Sequence, residues 1–189
     1  MEKFLIKGSP SRGVKGLISC SGAKNAVLPL MASSILFNNT VTLKNVPVGA
    51  KDVQTMIILL KSLGSKVKIL EKKKILKITN KKKHKLLVKY KYISTMRAGV
   101  LAMGALLGKY NRCSTALSGG CSLGSRPIGY HLAGFKKLNC KYSLNKGYIN
   151  ILANNGIKGG YYHFPKVSVT GTSNLILASV LANGITTLK

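Results

Sequence analysis

Three cations in this 189-residue chain stand where a helix does not favour them. Lys24 opens the segment Lys24-Asn-Ala-Val-Leu-Pro-Leu-Met31, and Arg97 opens Arg97-Ala-Gly-Val-Leu-Ala-Met-Gly104, both nearly all apolar and of helical length. Arg126 comes just before Pro127, and proline suits a first helical position. The first turn of a helix carries about +0.5 elementary charge, so a cation there is disfavoured by ~0.3–1 kcal/mol. One such placement means little, because long side chains reach out to water. Three at equivalent positions point to a shared task, the gathering of an anion, since helix-start N–H groups beside a fixed cation make a phosphate receptor. Ser21-Gly-Ala23 leads into Lys24 with small residues that would let a ligand approach the backbone.

The sharpest motif is Ser118-Gly-Gly-Cys-Ser-Leu-Gly-Ser-Arg-Pro127. It is neither a Walker A loop nor G-x-G-x-x-G. Its glycines predict a mobile, closely approaching loop, and Arg126 near Cys121 would favour the thiolate. Cys121 is therefore a candidate nucleophile or general acid. Cys20, Cys113 and Cys140 stand in strand-like or apolar settings and are expected to be inert. His131 follows Arg126 on the same predicted helix and has either a structural or a ligand-facing role.

Other chemistry is excluded by what the chain lacks. Lys and Arg number 31 against three acids, Glu2, Asp52 and Glu71, giving a net charge of +28. A paired-carboxylate mechanism or an all-carboxylate metal site has no residues to draw on. The cysteines form no C-x-x-C, and His84, His131 and His163 are not at ligand spacing from them, so no metal and no cofactor are expected. Free thiols, the absence of a secretory signal at the start and the absence of an apolar run of ~18–20 residues predict a cytoplasmic protein without membrane contact. The lysines are scattered, with dense runs only at Lys72–Lys74 and Lys81–Lys85, interrupted there by His84. A solvated surface is the expected reading, with sequence-independent nucleic-acid contact at most.

The elements that must position these residues repeat. Apolar helical segments begin near Lys24, Arg97 and Thr172-Ser-Asn174, about 75 residues apart. Val53, Met56, Ile57, Leu60 and Leu63 have the spacing of an amphipathic helix, followed by a turn at Gly64 and strands at Lys66–Leu70 and Ile75–Ile78. In the next unit Ile128, Leu132, Phe135 and Leu138 form the matching helix, Asn139 the turn, and Lys141–Leu144 and Tyr148–Leu152 the strands. Thr40–Lys44 is a strand between the two helices of the first unit. Each unit reads helix, strand, helix, strand, strand. A helix apolar on all sides must be buried by its neighbours. The expected fold is α+β, a pseudo-threefold repeat around buried helices, an inside-out barrel-like domain whose third unit stops short by roughly 35 residues at this repeat length. Residues 21–189 form that domain. Residues 1–20, with the strand-like Lys3-Phe-Leu-Ile-Lys7, are assigned to another domain.

Taken together, Ser21-Gly-Ala-Lys-Asn-Ala26, Thr95-Met-Arg-Ala98, Gly119-Gly-Cys-Ser-Leu-Gly-Ser-Arg-Pro-Ile128, His131-Leu132 and Lys166-Val-Ser-Val169 resemble the UDP-N-acetylglucosamine enolpyruvyl transferase (1-carboxyvinyltransferase) family along the whole chain. The cysteine loop separates it from the related 5-enolpyruvylshikimate-3-phosphate synthases. The resemblance implies two similar domains with the active site in the cleft between them. It implies transfer of the enolpyruvyl group from phosphoenolpyruvate to the sugar 3-hydroxyl, the first committed peptidoglycan step. Lys24 and Asn25 would meet phosphoenolpyruvate and the sugar, and Arg97 would assist at the anionic site as a UDP-N-acetylglucosamine-binding residue. Arg126, Pro127, Ile128, Gly129 and Tyr130 would line the UDP-sugar pocket, with Lys166, Val167, Ser168 and Val169 opposite. Cys121 would be the lid residue that fosfomycin alkylates.

Two departures from the family stand out. Gly129 takes the place of the usual Asp, and Thr170-Gly171 differs slightly from the usual glycine after the Val-Ser-Val run. The family's second domain, which carries the carboxylate base for the sugar hydroxyl and a further phosphate-binding arginine, has no counterpart in these 189 residues. The expectation is a chain that does not turn over alone: either a part that is active when a separately encoded second domain joins it, or a decayed remnant. A basic nucleic-acid-binding module and the sister shikimate enzyme are the alternatives.

Overall fold

A computed structural model describes residues 3–8, 13, 15–80, 83–116 and 128–189. The first apolar segment forms α1 (Lys24–Ser33), which buries Val27, Leu28, Met31 and Ala32 and runs into a 3-10 turn over Ser34–Leu36. Then come β1 (Thr40–Leu43), α2 (Lys51–Leu63), β2 (Lys66–Leu70) and β3 (Ile75–Thr79). The stripe read from the sequence is the buried face of α2, with Leu59 added. Gly64 ends α2 at φ 113°, the left-handed cap that releases the chain into β2. The three strands pair antiparallel in the order β1-β3-β2. Strand alternation turns Leu76 and Ile78 into the core, where Leu43, Val67 and Ile69 pack beside them.

The same sequence of elements recurs. After β4 (Leu87–Val88), α3 (Tyr90–Thr95) and a 3-10 turn over Arg97–Val100 come α4 (Leu101–Tyr110) and β5 (Arg112–Ala116). Then follow α5 (Gly129–Lys137), β6 (Lys141–Asn145) and β7 (Tyr148–Leu152). Their sheet has the order β4-β5-β7-β6, so β5-β7-β6 repeats the arrangement of β1-β3-β2. Asn139, at φ 67°, occupies the position that Gly64 holds in the first unit. Asparagine tolerates that conformation, which is why the turn survives without glycine. β4 runs parallel to β5, and β8 (Tyr161–Tyr162) runs parallel to β9 (Thr187–Leu188) across α6 (Val169–Ser179).

α4 is buried at every position from Leu101 to Leu107 and packs against both α1 and α6. Two glycines allow the α4–α6 approach. A Cβ on Gly104 would collide with the main-chain and side-chain oxygens of Asn174, and one on Gly108 would lie 2.5 Å from the Leu177 carbonyl oxygen. Helices at ordinary separation of 8–10 Å leave room for a Cβ, so these contacts mark a closer crossing.

Three expectations need correction. α6 begins at Val169, earlier than the Thr172–Asn174 start read from the sequence, because Ser168 caps it: its Oγ accepts the Gly171 N–H at 3.2 Å. Lys3–Lys7 is not a strand. Phe4, Leu5 and Ile6 are each at least 87% exposed, and an isolated strand has no ladder to hold it. Cys20 is exposed, not part of an apolar interior.

Candidate anion-binding site

α1 starts at Lys24 with no side-chain cap on Ala23. Its ammonium is instead held from across the fold. Lys24 Nζ lies 2.8 Å from Asp52 Oδ2, with both side chains part-exposed at 46% and 33%. Asp52 stands in the first turn of α2, where a carboxylate is favoured by the helix dipole. One carboxylate therefore completes the first turn of its own helix and offsets the cation at the start of the neighbouring one. Nothing in the sequence pairs these two residues; the packing of α1 on α2 brings them together.

The small residues before Lys24 have a structural cause. A Cβ on Gly22 would collide with the carbonyl oxygen of Asn45, so Gly22 lets the incoming segment lie against the β1–α2 connection. That contact places Lys24 beside Asp52. Asn25 is exposed on the first turn of α1. Pro29, inside α1, removes the N–H that would bond the Asn25 carbonyl.

Arg97 begins the 3-10 turn that feeds α4, so its main chain stands at a helix start as expected. Its side chain, and all of Cys121, Arg126 and Pro127, lie outside the described residues. Ile128 is half-buried just before α5, Gly129 is exposed at its first position, and Tyr130 is half-buried beside Tyr162. Opposite them in sequence, Lys166 and Val167 are exposed, Val167 at 97%. Ser168 spends its Oγ on capping α6, and Val169 is 75% exposed at the helix start.

A buried amide ties these two helix starts together. Asn174 of α6 accepts the Gly104 N–H of α4 at 2.7 Å and donates from Nδ2 to His131 Nδ1 of α5 at 2.9 Å. His131 Nδ1 is thus an acceptor, which places the ring proton of the neutral tautomer on Nε2. His131 has a structural attachment, so the α5 start carrying Ile128–Tyr130 is held in register with the α6 start carrying Lys166–Val169. Asn174 had no signal in the sequence beyond being polar within an apolar helix. Among the described residues no cluster of His, Cys, Asp or Glu could hold a metal ion. No helix among them is long and apolar enough to cross a membrane.

The family model for EPSP synthase (3-phosphoshikimate 1-carboxyvinyltransferase) matches residues 9–189. This chain belongs to the EPSP synthase family. A UDP-N-acetylglucosamine 1-carboxyvinyltransferase from Pelagibacter ubique is 45% identical over 189 residues, all of this chain and 44% of the relative. The protein of the same name from Magnetococcus marinus is 43% identical over 188 residues, again 44% of its length. The chain therefore spans less than half the length of the curated relatives it matches. Among solved structures, the enolpyruvyl transferase NikO from Streptomyces tendae superposes with a TM-score of 0.74 at 12% identity, over 95% of this chain and 41% of that one. An EPSP synthase from Acinetobacter baumannii gives 0.62 at 18% identity, over 92% and 40%. These structures share the fold of this family member.

Proposed function

We propose that this chain forms one wall of an enolpyruvyl transferase site that uses phosphoenolpyruvate and UDP-N-acetylglucosamine. Phosphoenolpyruvate is protonated at C3 as the sugar 3-hydroxyl gives up its proton and attacks C2, and the tetrahedral intermediate then loses a C3 proton and expels phosphate, which restores the carbon–carbon double bond. Phosphate, carboxylate and diphosphate crowd one cleft, so fixed cations offset their repulsion. Lys24, aimed by Asp52, takes phosphoenolpyruvate with Asn25, and Arg97 assists at the UDP-N-acetylglucosamine. Arg126, Pro127, Ile128, Gly129 and Tyr130 hold the UDP-sugar with Lys166, Val167, Ser168 and Val169, and Cys121 acts as acid or covalent participant. The observation that carries this reading is the 45% identity over the whole chain to a UDP-N-acetylglucosamine 1-carboxyvinyltransferase.

The carboxylate that accepts the hydroxyl proton is supplied by a second domain, and the 189 residues do not turn over alone. Asp52, engaged by Lys24, is not free for that role. Residues 1–20 belong with that second domain, which fits their uncovered Phe4, Leu5, Leu17 and Ile18. The matching strand orders of the two sheets and the parallel β8–β9 pair around α6 support a pseudo-threefold domain built on α1, α4 and α6. Its setting is the cytoplasm, in keeping with free thiols at Cys20, Cys113 and Cys140.

Fosfomycin labelling followed by intact mass tests the reading. One adduct that maps to Cys121 and is lost in Cys121→Ser is the expected result. No adduct, together with calorimetric binding of shikimate 3-phosphate and not of UDP-N-acetylglucosamine, would move the chain to the sister reaction.

A further inference from the structure

The outer face of the first sheet is a grid of cations and hydroxyls. Its register places Thr42, Lys77 and Lys68 side by side across β1, β3 and β2, and Thr40, Thr79 and Lys66 side by side in the next outward row. All six are exposed. Lys68 and Lys77 are direct cross-strand partners, an arrangement in which like charges destabilise a sheet. Among the described residues nothing acidic relieves them on this face. Threonines flank them, with Thr40 and Thr79 hydroxyls hydrogen-bonded at 2.8 Å. The tip of the β2–β3 connection adds Lys72, Lys73 and Lys74, with Glu71 as its only acid. Of the other acids, Asp52 is engaged by Lys24 and Glu2 lies outside the described residues.

The geometry points to this face as a docking surface for duplex nucleic acid, gripped through its phosphates. Neighbouring strands stand about 4.8 Å apart and alternate residues about 6.7 Å apart, so the lysines form a closely spaced array suited to a dense line of charge. A duplex carries one negative charge per ~1.7 Å of axis, and lysines that neutralise phosphates release counterions. The grid has no aromatic side chain, and stacking on aromatics is what single strands need. Bilayer surfaces are bound through apolar or aromatic anchors beside the cations, and the two rows contain none. Threonine hydroxyls beside the ammonium groups supply further donors to phosphate oxygens. The contact is independent of base sequence, because nothing on the face is built to read a groove edge.

The test uses the full 189-residue chain and a labelled duplex of about 20 base pairs, titrated between 50 and 200 mM salt, the range over which such contacts weaken steeply. Lys68→Thr with Lys77→Thr keeps strand propensity, and an unchanged melting temperature verifies the fold. The expected result is a log K against log salt slope shallower by roughly 2, and affinity at least about tenfold weaker at 100 mM salt. Lys136→Gln with Lys137→Gln removes equal charge from the exposed end of α5 and leaves the slope unchanged. An equal loss in that control would show binding spread over the whole basic surface and overturn the proposal. So would preference for a single strand of the same length, tighter binding to phosphatidylserine vesicles than to the duplex, or no duplex binding at 50 mM salt.

Discussion

Lys24 Nζ and Asp52 Oδ2, 2.8 Å apart, join the starts of the first two helices of the chain. The pair explains how an ammonium is kept at a helix start that repels it. Asp52 gains from its own helix dipole and offsets the charge of Lys24. In the proposed site, an incoming phosphate would share Lys24 with that carboxylate.

Removing that carboxylate separates stability from binding. A part-exposed ion pair contributes ~0–1 kcal/mol, so Asp52→Asn shifts the melting temperature by a few degrees at most. With the competing charge gone, phosphoenolpyruvate binds Asp52→Asn a few-fold more tightly by calorimetry. Lys24→Ala loses a charge-assisted hydrogen bond of ~1.5–3 kcal/mol and weakens binding by about tenfold or more. Equal affinities in all three proteins would remove Lys24 from the site.

Acid should loosen the fold at one identifiable place. His84 is buried between Ser65, Asn80 and Tyr110: Nδ1 lies 2.7 Å from the Tyr110 hydroxyl, and Nε2 lies 3.2 Å from Asn80 Oδ1. Burial, and then the nearby Lys109 ammonium, lower its pKa to about 4 from 6.5. Lys109 itself is fixed by the carbonyls of Ile35 and Phe37 at 2.7 and 3.0 Å. The folded chain therefore favours neutral His84. Its contribution is complete above pH 6.5 and is lost as pH falls from there through about 4. Chemical denaturation at steps across this window should show a decline that His84→Gln flattens. An unaltered decline in that variant would place the acid sensitivity elsewhere.

Thiol reactivity should divide the cysteines by position. Cys20 is exposed, whereas Cys113 and Cys140 are buried. Burial pushes the Cys140 thiol up to about 11 and the Cys113 thiol higher still. A thiol in that state supplies almost no thiolate at neutral pH. Peptide mapping after treatment of the native chain with a disulfide reagent should find Cys20 modified and Cys113 and Cys140 protected until denaturant is added. Native modification of Cys113 would contradict the packing of β5.

Gly129 offers a gain-of-function test. A Cβ there meets nothing within 4 Å, so the backbone leaves room for the aspartate that the resemblance implies at this position. Gly129→Asp adds an anion to the first turn of α5, where ~0.3–1 kcal/mol is available, and should raise the melting temperature by about 1–4 °C. It should also tighten UDP-N-acetylglucosamine binding through the restored hydrogen bond. A more stable variant with unaltered affinity would detach Gly129 from the nucleotide pocket.

Much of the architecture was legible in the residues because the repeat displayed each element twice. The apolar spacing of α2 predicted its buried face, and Gly64 and Asn139 marked the same turn through different chemistry. What escaped was short or long-range. The two-residue strands β4, β8 and β9 are too brief for periodicity to register, and their pairing depends on chain distant in sequence. The Lys24–Asp52 pair and the Asn174 bridge between Gly104 and His131 are tertiary contacts with no local pattern. The close packing of Gly22 on Asn45 also escaped, since a glycine in sequence does not say which atom presses against it.

The central claim is that this chain supplies one wall of a shared transferase site. It is tested most directly by phosphate release from phosphoenolpyruvate and UDP-N-acetylglucosamine, using the 189-residue chain mixed with the remaining C-terminal part of the Pelagibacter ubique relative. Release from the mixture, none from either component alone, and none when the chain carries Lys24→Ala is the expected result. Release by the chain alone, no release from a mixture whose halves copurify, or release only when shikimate 3-phosphate replaces the UDP-sugar would contradict it.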